Sequence, residues 1–190
     1  MTQLPIEKKT LFFPDRRYIL FFSTLAAVFS FIESILPKPF LFIKIGLGYI
    51  PILLIIDKVD YLPFISIVLL KSIITGIFAG TLFSFTGLLS IVGSLGCIVA
   101  YSLIYFFIKK LSRVSISILL AIFTNIFQLI FYSYFIIKDY NLLKILPLVN
   151  LISIITGFIT SLISIQIEEK YIELDFENLK NKKIKIKKLK

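Results

Sequence analysis

Long apolar runs, divided by short clusters of charge, proline and polar residues, dominate the chain. A hydrocarbon core about 30 Å thick needs roughly 20 apolar residues per crossing helix. Six runs meet or approach that length: Tyr18–Leu36, Leu41–Ile56, Leu62–Gly80, Thr86–Ile108, Ile116–Ile137 and Ile145–Ile167. The pattern predicts an all-α, polytopic membrane protein, a bundle of six transmembrane helices. The second run is short and holds Gly46, Gly48 and Pro51, so it is expected to be broken or tilted. Barrel strands do not fit, because the runs lack strict alternation and are about twice a barrel strand's length. The first run is longer than a signal-peptide core and ends in SILPKP with no A-x-A site, which marks it as an anchor. The division expected is a cytoplasmic segment 1–17, a membrane domain 18–167 and a charged cytoplasmic tail 168–190.

Basic residues orient these spans. With the N-terminus inside, Lys8, Lys9, Arg16, Arg17, Lys58, Lys109, Lys110, Arg113 and the eight lysines from Lys170 onward are cytoplasmic. The other side receives only Lys38, Lys44, Lys138 and Lys144. This bias predicts a multi-pass protein of the cell membrane with both termini in the cytoplasm. The net charge of +10 is therefore largely topogenic, and nucleic-acid binding is not expected. After Gln166 the chain turns acidic (Glu168, Glu169, Glu173, Asp175, Glu177) and then lysine-rich, ending NKKIKIKKLK. It reads as a disordered or surface-lying tail drawn to anionic lipid.

Composition narrows the chemistry. A hydrophobic content of 58% with 17% charged residues and a mean hydropathy of +0.97 excludes a soluble enzyme. The absence of histidine and the single cysteine, Cys97, exclude a Cys/His zinc site, a disulfide framework and histidine acid–base chemistry. There is no G-x-x-x-x-G-K-[ST] run and no D-D-x-x-D cluster, so neither a P-loop nor a magnesium–diphosphate site of that kind is expected. Asp57 and Asp60 read as capping the next helix, and Cys97 as a small buried apolar residue.

An ionisable residue at membrane depth costs about 2.5–3.5 kcal/mol on insertion scales and so calls for a partner or a purpose. Glu33 lies near the outer end of span one and Lys71 near the middle of span three. They can pair with one another; Glu33 can also snorkel toward the external loop, and Lys71 beside a cavity would receive an anionic group. Asn125 and Gln128 share a face of span five, and Asn150 poses the same question in span six. Interhelical hydrogen bonding is the competing explanation for these amides. Together Glu33, Lys71, Asn125, Gln128 and Asn150 suffice to line one polar pocket. Small residues at spacing four occur at Gly76/Gly80, at Ser153/Gly157/Ser161, and in span one at Ser23/Ala27 and Ala26/Ser30. Most such stripes are internal packing; on a lipid-facing side, the span-one stripe would dock another membrane protein.

The order of marks (FIESILP, KIGLGYI, KSIITGIFAGTLFSFTGLLSIVGSLG, TNIFQL and LPLVNLISIITGFITSLIS) resembles the Gx transporter family. That family is long described as heptaprenyl diphosphate synthase component I, and its members resemble substrate-binding S components of energy-coupling-factor transporters. The likeness runs from Tyr18 to Ile167. It implies a six-helix subunit that captures a small vitamin-like or precursor molecule and works with a separate membrane coupling subunit and cytoplasmic ATPases. This chain itself would hold no cofactor, ATP being used by the partners. Glu33 and Pro37 match the family's E-x-x-x-P, Gly46 and Leu47 the start of its G-L-A-N, and Asn125 and Gln128 its H-N-x-x-Q. Three positions depart from the pattern: Tyr49 stands for Asn, Thr124 for His and Lys71 for Arg, and a lysine point charge does not replace an arginine fork. The resemblance leads to the expectation of binding without catalysis, with the loop carrying Pro37, Lys38 and Pro39 closing over a pocket built from spans one, three, five and six. By the same analogy span one would dock the coupling subunit. The alternative is a non-catalytic membrane accessory subunit of a heptaprenyl or polyprenyl diphosphate synthase. A third possibility is a scaffold that binds no ligand.

Overall fold

The computed structural model describes residues 16–35, 46–57, 59–107 and 111–170, and from 171 to 187 the backbone alone. Pro37, Lys38, Pro39, Lys44, Lys58, Lys109, Lys110, the segment before Arg16 and the tail's side chains beyond Lys170 lie outside the described residues, as does the start of the second apolar run.

Among the described residues six α-helices follow one another: α1 (Arg16–Ile35), α2 (Ile50–Ile55), α3 (Tyr61–Phe78), α4 (Phe85–Phe107), α5 (Arg113–Phe131) and α6 (Leu146–Lys187). The described residues include no strand. Among the described residues five segments are long and apolar enough to cross a membrane, so the protein is a multi-pass membrane protein of the all-α class. The exception is α2. Gly46 takes the left-handed conformation (φ 91°), a 3-10 turn covers Leu47–Tyr49, and Pro51 opens a helix of six residues. This is the break its glycines and proline predict. Although short, α2 is deeply placed, with Ile52 and Leu53 almost wholly buried.

Helix ends follow local chemistry. Ser112 caps α5, its Oγ accepting from the Ser115 N–H at 3.2 Å. Asp60 occupies the N-cap position of α3 without a side-chain capping bond, while Asp57 has a different partner, Arg113. Helix α3 ends because Gly80 adopts φ +64°, letting the Thr81 N–H reach back to the Gly76 carbonyl at 2.8 Å, a Schellman-type stop. Gly80 is thus a terminator, and a side chain added there would meet open space. The C-terminal end of α5 widens into a π-turn, Tyr132–Ile137, and a 3-10 turn, Tyr140–Ile145, leads into α6. The α6 backbone stays helical to Lys187, well past the apolar run; a disordered tail was one expectation, and a continuous helix is what forms.

Neighbouring helices pack α1 on α3, α3 on α4, α4 on α5 and α5 on α6, with α2 between α1 and α6. One apolar cluster joins α2, α3, α4 and α5 through Leu53, Phe64, Val68, Ala100 and Leu120; the rings of Phe64 and Tyr101 stack within it at 3.7 Å. Cys97 is fully buried there, as a small apolar residue should be. A smaller cluster, Leu89, Leu129 and Val149, closes the opposite end. Large apolar side chains such as Phe21, Leu62, Ile77, Phe107 and Leu151 cover the outside, the face a bilayer requires.

The span-one stripe is corrected by this packing. Ser23, Ala26 and Ala27 are fully buried, and the Ala27 carbonyl accepts from Thr75 Oγ1 of α3 at 3.4 Å. These small residues let α1 approach α3, so they do not form an outward docking face; Ser30 faces a cavity instead. The α6 stripe is also internal: Gly157 lies where an added Cβ would stand 2.8 Å from Ile118 Cα of α5, the close approach expected of small residues at a membrane helix contact.

Candidate binding cavity

A cavity of about 600 Å³ opens at the end of the bundle where α1 and α3 finish and α4 begins. Small-molecule sites commonly occupy roughly 300–1,000 Å³. Helix α1 contributes Ser30, Glu33 and Ser34, and α3 contributes Lys71 and Thr75. From α4 come Thr86, Ser90 and Ser94, which recur every fourth residue and so form one hydroxyl-bearing face. Phe31, Ile35 and Leu89 add apolar wall, and Tyr49 adds a ring from the turn before α2.

Lys71 dominates the electrostatics. It is 7% exposed, and its Nζ sits 3.5 Å from the centroid of the Tyr49 ring. Among the described residues the ion pairs belong to Arg113, and no carboxylate pairs with Lys71. A cation over an aromatic face gains about 0.5–2 kcal/mol, which steadies the charge without neutralising it. Tyr49 is fixed in turn: its hydroxyl shares a 3.0 Å hydrogen bond with Thr124 Oγ1 of α5. Lys71, Tyr49 and Thr124 therefore form one chain of contacts. Gly48 makes it possible, because an added Cβ would collide with Ser30 Oγ and stand 2.9 Å from Lys71 Cε.

Glu33 is 4% exposed, so it does not snorkel. Its Oε1 accepts the Gly46 N–H at 2.8 Å, fastening the end of α1 to the left-handed turn before α2. The structure thus brings Glu33 and Lys71 to the same cavity without joining them.

Asn125, Gln128 and Asn150 do not line it. Asn125 Nδ2 donates to Ser153 Oγ of α6 at 2.8 Å, and Gln128 Nε2 donates to the Leu89 carbonyl of α4 at 2.9 Å. Gln128 reaches α4 because Gly93 leaves the space that its amide fills. The expected pocket from spans one, three, five and six is corrected accordingly: α4 and Tyr49 take the places assigned to α5 and α6, the α5 amides of Asn125 and Gln128 being drawn into interhelical bonds and Asn150 lying away from the cavity wall.

At the opposite end Arg113 joins three elements. Its guanidinium pairs with Asp57 after α2 and with Glu168 on α6, tying the end of α2, the start of α5 and α6 together. Among the described residues no group of three or more Cys, Asp or Glu side chains is placed to hold a metal ion.

No curated protein and no solved structure matches the chain. A family model described as Heptaprenyl diphosphate synthase component I matches residues 22–167, a span that contains the cavity and all six helices except the ends of α1 and α6. The chain belongs to that family.

Proposed function

We propose that this protein is a substrate-binding, S-component-like membrane subunit that takes up a small vitamin-like or precursor molecule, with separate coupling and ATPase subunits supplying energy. The observation that carries this reading is Lys71: a buried ammonium facing a cavity of about 600 Å³, with no carboxylate partner among the described residues. An intramembrane charge is functional until paired, and a lysine so placed receives an anionic group. Hydroxyls of Ser30, Thr86 and Ser94 around it suit a ligand with several hydrogen-bonding atoms. With the termini in the cytoplasm, as the lysine bias supports, the cavity opens outward. Such a subunit binds and releases without making or breaking bonds.

The family's description favours a second reading, a non-catalytic membrane accessory subunit of a polyprenyl diphosphate synthase. Affinity purification of the intact chain from its host membrane separates the two. Co-purification of a membrane coupling subunit with ATPases, together with ligand uptake that depends on them, supports transport. Co-purification of a soluble prenyl synthase, with no uptake, supports the accessory role and overturns the first.

A further inference from the structure

One short turn braces both charges of the cavity. Gly46 gives its N–H to Glu33 Oε1 at 2.8 Å, Gly48 leaves room for Ser30 and the Lys71 stem, and the Tyr49 ring lies 3.5 Å from the Lys71 ammonium. The Tyr49 N–H closes this turn on the Gly46 carbonyl at 2.9 Å, which keeps the Cα atoms of the two bracing residues within about 7 Å of each other. Ser30 and Glu33, three residues apart on α1, share a face, and both line the cavity with Lys71. A buried carboxylate and a buried ammonium thus border one small space. Among the described residues neither forms an ion pair.

The charge on Glu33 is surplus to the contact it makes. Accepting the Gly46 N–H takes one carbonyl-type oxygen, which a glutamine supplies without carrying a charge to membrane depth. A carboxylate offers about four acceptor positions, and the Gly46 N–H occupies one of them. A ligand with acidic groups alone answers Lys71 but sets its own negative charge near Glu33, and like charges in a water-poor site repel strongly. A basic nitrogen at the ligand's other end removes that conflict. Its anionic group then takes the Lys71 ammonium, and its N–H groups donate to Glu33 Oε2, giving each buried charge an opposite partner.

We propose that Glu33 receives a protonated amine of the captured molecule, so that the substrate class is a small anionic compound that also carries a primary or secondary amine, as amino acids and their derivatives do. This inference rests on the reading of Lys71 as the capture charge.

Glu33→Gln is the informative variant, because its amide oxygen can still accept the Gly46 N–H while the charge is gone. Full-length wild type, Glu33→Gln and Lys71→Met are purified from the host membrane, and the small molecules they release on denaturation are weighed by mass spectrometry before and after reaction with an amine-selective acylating reagent. The wild type should release an acidic molecule that gains the acyl tag. Lys71→Met should release none, and Glu33→Gln should retain about 10- to 100-fold less, the loss expected of one charge-assisted contact. If Glu33→Gln fails to insert, the tag on the wild-type ligand decides. An acidic ligand without an amine, or equal occupancy of wild type and Glu33→Gln, would overturn the inference and leave the capture of an anion by Lys71 standing. Wild type that releases nothing is titrated instead with γ-aminobutyrate, butyrate and butylamine. A saturable rise of the unfolding midpoint with γ-aminobutyrate alone supports the inference, and an equal rise with butyrate overturns it. No rise with any of the three overturns both this inference and the capture reading.

Discussion

Arg113 and Lys71 are both basic residues set among apolar helices, at opposite ends of the same bundle, and they are treated differently. Arg113 is gripped by carboxylates from two other elements, Asp57 and Glu168. Lys71 lies over the face of Tyr49 and, among the described residues, forms no ion pair, Glu33 standing in the same cavity without bonding it. An arginine fork shared between two carboxylates is a fastening: its charge is spent on holding α2, α5 and α6 in register. A lysine over a ring keeps its charge and most of its donors available. The contrast separates the end of the molecule that holds the bundle together from the end that, on the proposed function, receives a ligand.

Removing each cation in turn is the strongest way to break that comparison. Lys71→Met should weaken ligand binding about 10- to 100-fold, the loss expected of one charge-assisted contact, while leaving the unfolding midpoint unchanged or raised, since no ion pair is broken. Arg113→Ala should do the opposite. It strands two carboxylates and should cost about 2–3 kcal/mol of stability, with normal affinity in the folded fraction; paired thermal-shift and binding measurements on both variants check this.

Smaller changes sharpen the picture. Gly48→Ala forces a methyl group against Ser30 and the Lys71 stem and should cost about 1–3 kcal/mol by overpacking, with a parallel loss of binding measured by isothermal titration. Asn125→Ala should lower stability by about 0.6–2 kcal/mol, the worth of an interhelical bond, and leave the cavity's affinity intact. Tyr49→Phe keeps the ring and loses only the bond to Thr124, about 1 kcal/mol, so binding should survive; Tyr49→Leu removes the ring face and should weaken binding further. If Tyr49→Phe and Tyr49→Leu bind equally, the ring is not what positions Lys71.

How legible the site was depends on whether a residue's role is intrinsic or relational. A charge inside an apolar run is conspicuous by itself, so Lys71 and Glu33 stood out, and both reach the cavity. Gly46, Gly48 and Pro51 announced a broken second segment because their backbone preferences are local. Asn125 and Gln128 were equally visible, but their destination depends on what faces them. Ser153 draws one to α6, and the space at Gly93 admits the other to α4; neither is a property of α5. Tyr49 was noticed only as a departure from the family pattern, because an aromatic ring is unremarkable in a membrane chain until a lysine lies over it. Thr86, Ser90 and Ser94 carry a readable signal, hydroxyls at spacing four on α4, but a weak one, because hydroxyls in membrane helices usually satisfy their own backbone, as Ser94 does with the Ser90 carbonyl. The helical course of α6 to Lys187 followed no apolar period and so had no hydrophobic signature to show.

The central claim is that Lys71 holds the charge that captures a ligand. Native mass spectrometry of the gently solubilised wild type and Lys71→Met, purified side by side from the host, tests it most directly. The account predicts a small anionic molecule bound to the wild type and missing from an otherwise intact variant. The same bound mass on both proteins would contradict it and return Lys71 to the class of structural charges that Arg113 represents.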